Sequence, residues 1–271
     1  MTTIAVPAGP AAAITEIRAL AGRRLRHLQR APGRLIGITM NPLVMMLAMG
    51  YLFKQAFVIP GGGDYLEYLM AGVAMQVGLA SIGPTAIGVS MDLRGGLIDR
   101  FRSLPIGRGG VLLGHSIADL AASVIGLVIV MGAGLALGWR PHTDALSVLA
   151  GFGILIAFIY AMLWVGILLG MVLKTPESID AVGSLVLVGL SFLSTALISA
   201  SAMPAWIRPV VEWNPVSSVT TALRELWGNP GGTTGATFAT ENSGVVIAVT
   251  LAALLLVTTA LSFRRYRKAE N

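Results

Sequence analysis

Ala145-Leu-Ser-Val-Leu-Ala-Gly-Phe-Gly-Ile-Leu-Ile-Ala-Phe-Ile-Tyr-Ala-Met-Leu-Trp-Val-Gly-Ile-Leu-Leu-Gly-Met-Val-Leu173 contains no charged residue. A hydrocarbon core about 30 Å thick is crossed by about 20 apolar residues of helix, so this stretch is a membrane span by length alone. Working outward, five more apolar segments qualify: about 35–53, 65–91, 110–137, 179–200 and 244–263. None alternates with period 2, which favours helices over a membrane β-barrel. Glycine and proline inside them (Pro42, Gly83-Pro84, Gly132, Gly134) are tolerated in lipid, where small residues let backbones approach. The expected fold is an all-α integral membrane protein with six transmembrane helices.

The composition agrees. Of 271 residues, 55% are hydrophobic and 12% charged, against about 25% charged in a soluble domain. Mean hydropathy is +0.79. The absence of cysteine excludes a disulfide scaffold, a thiolate zinc site and a cysteine nucleophile. The net charge of +6 points away from nucleic acid, because the basic residues flank apolar runs.

Counted loop by loop, those basic residues orient the chain. One side takes Arg18, Arg23, Arg24, Arg26, Arg30 and Arg34, then Arg94, Arg100, Arg102 and Arg108, then Lys174, and last Arg264, Arg265, Arg267 and Lys268. Only Lys54, Arg140, Arg208 and Arg224 of the 19 fall on the other. This predicts a multi-pass protein of the cell (cytoplasmic) membrane with both termini cytoplasmic. The chain divides into a cytoplasmic N-terminus, 1–33, a six-span domain, 34–263, and a basic cytoplasmic tail, 264–271. The first apolar stretch is longer than a signal-peptide core and is expected to stay as an uncleaved span. Within Thr15–Arg30, Ile17, Leu20, Ala21, Leu25 and Leu28 recur among arginines at helical spacing. An interfacial helix facing anionic headgroups is expected there. A plain orientation signal is the alternative.

Between spans two and three lies Met91-Asp-Leu-Arg-Gly-Gly-Leu-Ile-Asp-Arg-Phe-Arg-Ser-Leu-Pro-Ile-Gly-Arg108. Leu93, Leu97, Ile98, Phe101 and Leu104 recur at intervals of three and four, an amphipathic helix of about three turns stopped by Pro105. Charges of both signs on its other face suit contact with a protein; contact with lipid headgroups is the simpler reading.

The run Asp92-Leu-Arg-Gly-Gly-Leu-Ile-Asp-Arg-Phe-Arg-Ser-Leu-Pro-Ile106, followed by Gly114-His-Ser-Ile-Ala-Asp-Leu120, resembles the signature of type-2 ABC (ABC-2 type) export permeases, closest to the daunorubicin-resistance branch. Asn214-Pro-Val-Ser-Ser-Val-Thr-Thr-Ala-Leu-Arg-Glu-Leu226 resembles the helix that precedes the last span in that family. The resemblance implies the permease subunit of an ATP-driven exporter of amphipathic small molecules. Its partners would be two copies of a separate ABC ATPase, a second permease copy (homodimer or related heterodimer) and membrane lipids. ATP and Mg would be held by the ATPase, with no cofactor, metal or catalytic residue in this chain. Carried over by position, the cytoplasmic coupling helix that docks on the ATPase uses Asp92, Leu93, Arg94, Asp99, Arg100, Phe101, Arg102 and Leu104, with Pro105 setting the return angle. The outer gate, built on short helices before the last span, falls on Trp206, Trp213, Asn214, Pro215 and Arg224.

No phosphate-binding loop is present. Gly170-Met-Val-Leu-Lys174-Thr175 lacks the glycine before lysine and sits at the end of a span. There is no HExxH or Gly-x-Ser-x-Gly pattern, and His27, His115 and His142 lie on three different segments. His115 and Asp119 share one helix face, Asp119 about 12 Å into the third span. An acid at that depth costs on the order of 2.5–3.5 kcal/mol and needs a partner. A polar clasp to His115 or to a neighbouring span is one reading; proton coupling or recognition of a cationic drug is the other. Asn41, Gln76, Ser81, Ser191 and Ser194 are the other polar residues within spans, for helix–helix hydrogen bonds or a transport path. Met45, Met46, Met49, Met70 and Met75 form either a path lining or ordinary packing. Between the last two spans, Met203–Ile207 and Val216–Trp227 are expected as short helices, with Trp206, Trp213 and Trp227 at interface depth. Lipid or polysaccharide export, and a proton-coupled secondary transporter using His115 and Asp119, are the alternatives.

Overall fold

The computed structural model describes residues 33–52, 54–56, 59, 62–95, 110–173, 175–200, 203–231 and 242–269. The interfacial segment Thr15–Arg30 and the coupling residues Asp99, Arg100, Phe101, Arg102, Leu104 and Pro105 lie outside the described residues. Every described element is helical: α1 (Gly33–Leu47, with a π-turn at Ala48–Leu52), α2 (Tyr65–Ala80), α3 (Ile82–Arg94), α4 (Gly110–Ala136), α5 (Ala145–Val172), α6 (Pro176–Phe192), α7 (Arg208–Glu212), α8 (Pro215–Trp227) and α9 (Ser243–Ala269). With α2 and α3 taken as one kinked helix, five of these are long and apolar enough to cross a membrane. The protein is an all-α integral membrane protein.

Local chemistry sets the boundaries. Asp64 caps α2 by accepting from the Leu66 N–H, and is itself held by Lys54 Nζ at 2.6 Å. Burial pushes the Asp64 carboxyl up, but the lysine and the Leu66 N–H outweigh it and leave it below its usual range. Asp144 caps α5 through the N–H groups of Leu146 and Ser147 and takes the Ser147 hydroxyl at 2.7 Å. Thr175-Pro176 and Asn214-Pro215 open α6 and α8 with the same logic, an oxygen cap followed by proline at the first helical position. Gly228, at φ 67°, closes α8 in the left-handed region. The break between α2 and α3 at Ser81 lies one turn before Pro84, whose missing N–H and ring disrupt the preceding turn.

The helices run alternately between two ends, here the Arg34 end and the Trp227 end. All residues of α2 are buried except the half-buried Glu67, so α2 is the centre of the bundle. Around it pack α1, α4, α5, α6 and α8, while α3 lies against α5 and α6, and α9 against α5 and α8. Close backbone approaches join them. A Cβ on Gly72 would lie 2.0 Å from the Ala196 carbonyl oxygen; on Gly170, 2.3 Å from that of Ala86; on Gly166, 2.7 Å from that of Ile82. Gly166 and Gly170 are therefore a small-xxx-small pair seating α5 on α3.

Three expectations change. The segment expected as a span over 179–200 is helical only as far as Phe192, and Leu193–Ala200 turns beneath α2 and α8. Seventeen residues of α6 reach about 26 Å, just short of a full crossing. Of the two short helices expected after it, α8 matches closely, whereas the first forms at Arg208–Glu212 because Pro209 favours the first helical turn. The last helix continues past Phe263 to Ala269, its end carrying Arg264 and Arg265. The methionines sort by position: Met46, Met70 and Met75 are in the core, Met45 and Met49 at its edge.

Gly170→Val should lower the thermal midpoint of the detergent-purified protein, at a cost of about 1–3 kcal/mol for the forced separation of α3 and α5. Gly132→Ala, on an exposed face with nothing near its Cβ, should leave it unchanged or raise it. The Asp144 carboxyl lies below its usual value because of the Ser147 hydroxyl and N–H. Its capping contribution is therefore present above about pH 4 and is lost as pH falls through the lowered value. Thermal midpoints measured across that range should converge for wild type and Asp144→Asn.

Candidate functional site

Polar side chains inside the bundle gather in two places, one at each end. At the Arg34 end, Arg34 in the first turn of α1 places Nη2 2.6 Å from Asp119 Oδ2 on α4 and donates to Thr85 Oγ1 on α3 at 3.2 Å. Asp119 is fully buried. One turn away, His115 places Nε2 3.1 Å from Asp119 Oδ2 and Nδ1 3.5 Å from Asp92 Oδ2. Asp92 stands in the last turn of α3, which ends at Arg94 and is closed by Gly95. The cluster thus joins three helices, with both carboxylates facing His115 and one of them facing an arginine. Sequence reasoning placed His115 and Asp119 together but counted Arg34 only toward orientation. The signal available was its position at the head of an apolar helix, where a long side chain can turn inward as well as snorkel. Asp92, Leu93 and Arg94, expected to start the coupling helix, complete the helix of the second span instead.

At the Trp227 end the anchor is Arg224. It is fully buried, and no carboxylate lies within ion-pair distance among the described residues. Nε donates to the Tyr68 carbonyl at 2.9 Å, and Nη2 to those of Thr195 and Ala196 at 2.9 and 3.2 Å. The guanidinium carbon lies 3.6 Å from the centroid of the Tyr68 ring, a cation–π contact. Tyr65 and Tyr68 hydroxyls donate to the carbonyls of Leu197 and Thr195. Ser217 accepts from the Thr195 N–H, and Asn214, besides capping α8, donates to the carbonyls of Leu190 and Leu193. These bonds satisfy the carbonyls released where α6 ends, as low-dielectric surroundings demand. Arg224, expected as an outer-gate residue, is the pin of this knot. Tyr65 and Tyr68 were not singled out from the sequence, because a tyrosine at a span's edge looks like an interface anchor.

The tryptophans separate. Trp206 and Trp213 are exposed, whereas Trp227, expected at the interface, is fully buried. It packs edge-on to Trp139 and against Phe152, and a Cβ on Gly151 would lie 2.6 Å from its Nε1. Trp139 in turn donates to Asn229 at 2.8 Å, and His142 meets Glu67 at 2.8 Å. Gln76 is buried in α2 with its Oε1 unpaired, while Asn41 lies on the exposed stripe of α1 with Met40 and Val44. Between α6 and the helices before α9 an open apolar groove of about 680 Å³ is lined by residues that include Leu185, Leu190, Val210, Trp213 and Pro215. No group of three or more histidine, aspartate or glutamate side chains able to hold a metal occurs among the described residues.

The described residues form a bundle of apolar spans tied by buried charge at both ends. The chain belongs to the ABC-2 type transporter family, whose model matches residues 15–227. It is 33% identical over 250 residues to the daunorubicin resistance ABC transporter permease protein DrrB1 of Streptomyces coeruleorubidus, covering 90% of this chain and 85% of that one. It is 29% identical to the doxorubicin resistance ABC transporter permease protein DrrB of Mycobacterium tuberculosis, covering 84% and 86%. It is 25% identical to the putative transport permease ycf38 of Pyropia yezoensis, covering 79% and 74%. The chain is a transport component of this family.

Replacing Arg224 by Met removes three charge-assisted hydrogen bonds and takes away the donor of the Ala196 carbonyl, while the Thr195 carbonyl keeps the Tyr68 hydroxyl. The expected loss is about 2 kcal/mol or more, a fall of roughly 5 °C in thermal midpoint. Arg224→Lys, a point charge unable to span three carbonyls, should fall between.

Proposed function

We propose that this chain is the permease subunit of an ATP-driven exporter that moves amphipathic small molecules out of the cytoplasm or inner leaflet. The observation that carries this reading is the family match along most of the chain, with relatives whose names record resistance to anthracycline drugs. In this reading the ATP and Mg belong to two copies of a separate ABC ATPase. Segment 95–109 and the preceding turn at Asp92, Leu93 and Arg94 face that ATPase, with Asp99, Arg100, Phe101, Arg102 and Leu104 as docking residues and Pro105 turning the chain back. The basic Arg34 end is cytoplasmic, in the cell membrane. The crossing count reaches six when α6 and the turn Leu193–Ala200 are taken together as one broken crossing.

A second permease copy completes the transport path, as a homodimer or a related heterodimer. The polar Asn41 on an exposed apolar stripe supports such a partner, since an amide facing lipid alone is costly. The apolar groove beside Trp213 and Pro215 is wide enough for the hydrophobic body of an amphiphile, below an outer gate formed by α7 and α8. Trp206, Trp213, Asn214, Pro215 and Arg224 belong to that gate. The pairing of Asp119 with Arg34 fits a polar clasp to a neighbouring span.

The test is copurification in detergent of the tagged chain with an ABC ATPase coexpressed from the same genome. Stable association that falls at least tenfold in the triple variant Asp99→Ala, Arg100→Ala, Arg102→Ala is the expected result. No association, together with ATP-independent and proton-dependent transport in liposomes, would replace this reading by the carrier.

A further inference from the structure

The charged cluster at the Arg34 end bridges the two helices that flank segment 95–109. Asp92 is three residues before the end of α3's cap at Gly95, and His115 sits in the second turn of α4. The His115 ring closes that gap, with Nδ1 toward Asp92 and Nε2 toward Asp119. From Asp119 the connection passes to Arg34, which also donates to Thr85, one residue before Ala86, whose carbonyl abuts Gly170 of α5. A displacement of the end of α3 relative to the start of α4 must therefore move or break a chain of polar contacts that ends on the first span.

We infer that Arg34, Asp92, His115 and Asp119 form a coupling joint, by which movement of segment 95–109 is passed to the helix core. The inference rests on the reading of segment 95–109 as the ATPase-facing element. These are positioning residues: none needs to touch substrate or nucleotide. Three physical features fit this role better than that of a simple staple. Asp119 and His115 are buried and Arg34 mostly so, which leaves their contacts little screened, while Asp92 at the end of α3 stays partly exposed. The four residues lie on three helices (α1, α3 and α4), so one rearrangement changes several helix positions together. The joint also holds more than one acceptor for each donor: Arg34 faces Asp119 and Thr85, and His115 faces Asp92 and Asp119. Exchange between partners lets the helices shift while Arg34 keeps Thr85, and Asp119 keeps His115, as a hydrogen-bond partner, where a buried charge with none would be costly.

The test uses the full chain with its ATPase in inside-out membrane vesicles. Three quantities are read: copurification of the two subunits, ATP hydrolysis, and ATP-dependent uptake of doxorubicin as the fluorescent probe. The variants are Arg34→Gln, Asp119→Asn, the double variant, and Arg34→Lys. The joint predicts wild-type copurification and hydrolysis within about twofold in both single variants, with probe uptake per ATP at least tenfold lower. Arg34→Lys should restore most of the uptake, and the double variant should exceed either single one, since it leaves no lone charge. Uptake and hydrolysis falling in proportion, with less assembled protein, would mean a staple and overturn the joint. Unchanged uptake in the single variants would overturn it as well. Should the single variants fail to assemble, the double variant decides: assembled protein with uptake per ATP several-fold below wild type and hydrolysis within about twofold supports the joint, and uptake and hydrolysis lowered equally, or both unchanged, overturns it. Failure of the wild-type chain to bind the ATPase is a separate result, which sinks the exporter reading and the joint with it.

Discussion

Arg224 is a fully buried guanidinium with no carboxylate within ion-pair distance among the described residues, and the Trp227 end of the molecule is organised around that fact. Burial of such a group is costly unless its donors are used. Here Nε and Nη2 are directed at three carbonyls, two of which belong to the turn after α6 and one to α2, while Nη1 has no hydrogen-bond partner among the described residues. The same turn exists because α6 stops at Phe192, leaving carbonyls that lipid cannot satisfy. The arginine and the broken helix are each other's compensation. Tyr68 stabilises both, with its ring under the guanidinium and its hydroxyl on the Thr195 carbonyl.

The opposite end solves a different problem. Asp119 is buried about as deeply, but its partners are side chains, Arg34 of α1 and His115 one turn away, rather than backbone. Backbone carbonyls cannot be moved without unwinding a helix, whereas side-chain ion pairs can exchange partners. One end of the bundle is thus pinned and the other jointed. Between them the helices are held by close packing at Gly72, Gly166 and Gly170, where removal of the side chain lets one backbone rest on another. In lipid this dispersion contact replaces the hydrophobic effect that would drive helices together in water.

Much of this was legible in advance. The spans at 110–137 and 145–173 match α4 and α5 closely, because an uninterrupted apolar run has only one stable state in hydrocarbon. Asn214-Pro215 and Thr175-Pro176 announced the starts of α8 and α6 through cap chemistry that is entirely local. The end of α6 was not legible. Leu193–Ala200 is as apolar as the helix before it, and what turns it is the set of donors brought from α2 and α8, remote in sequence. Trp227 was misplaced for a related reason: a tryptophan near a span's end suits an interface equally well, until Gly151 opens a slot for it.

The sequence by itself determined that the chain is helical, that it lies in a membrane, which end carries the basic residues and where most helices begin. Each of these follows from composition, period or a cap within a few residues. Which charges pair, by contrast, was decided only by the tertiary structure. Arg34 and Asp119 are separated by two helices, α2 and α3, and share no pattern, and Arg224 meets backbone groups that have no sequence signature at all. Burial in a low-dielectric interior makes such partners obligatory, while their identity depends on how the helices cross.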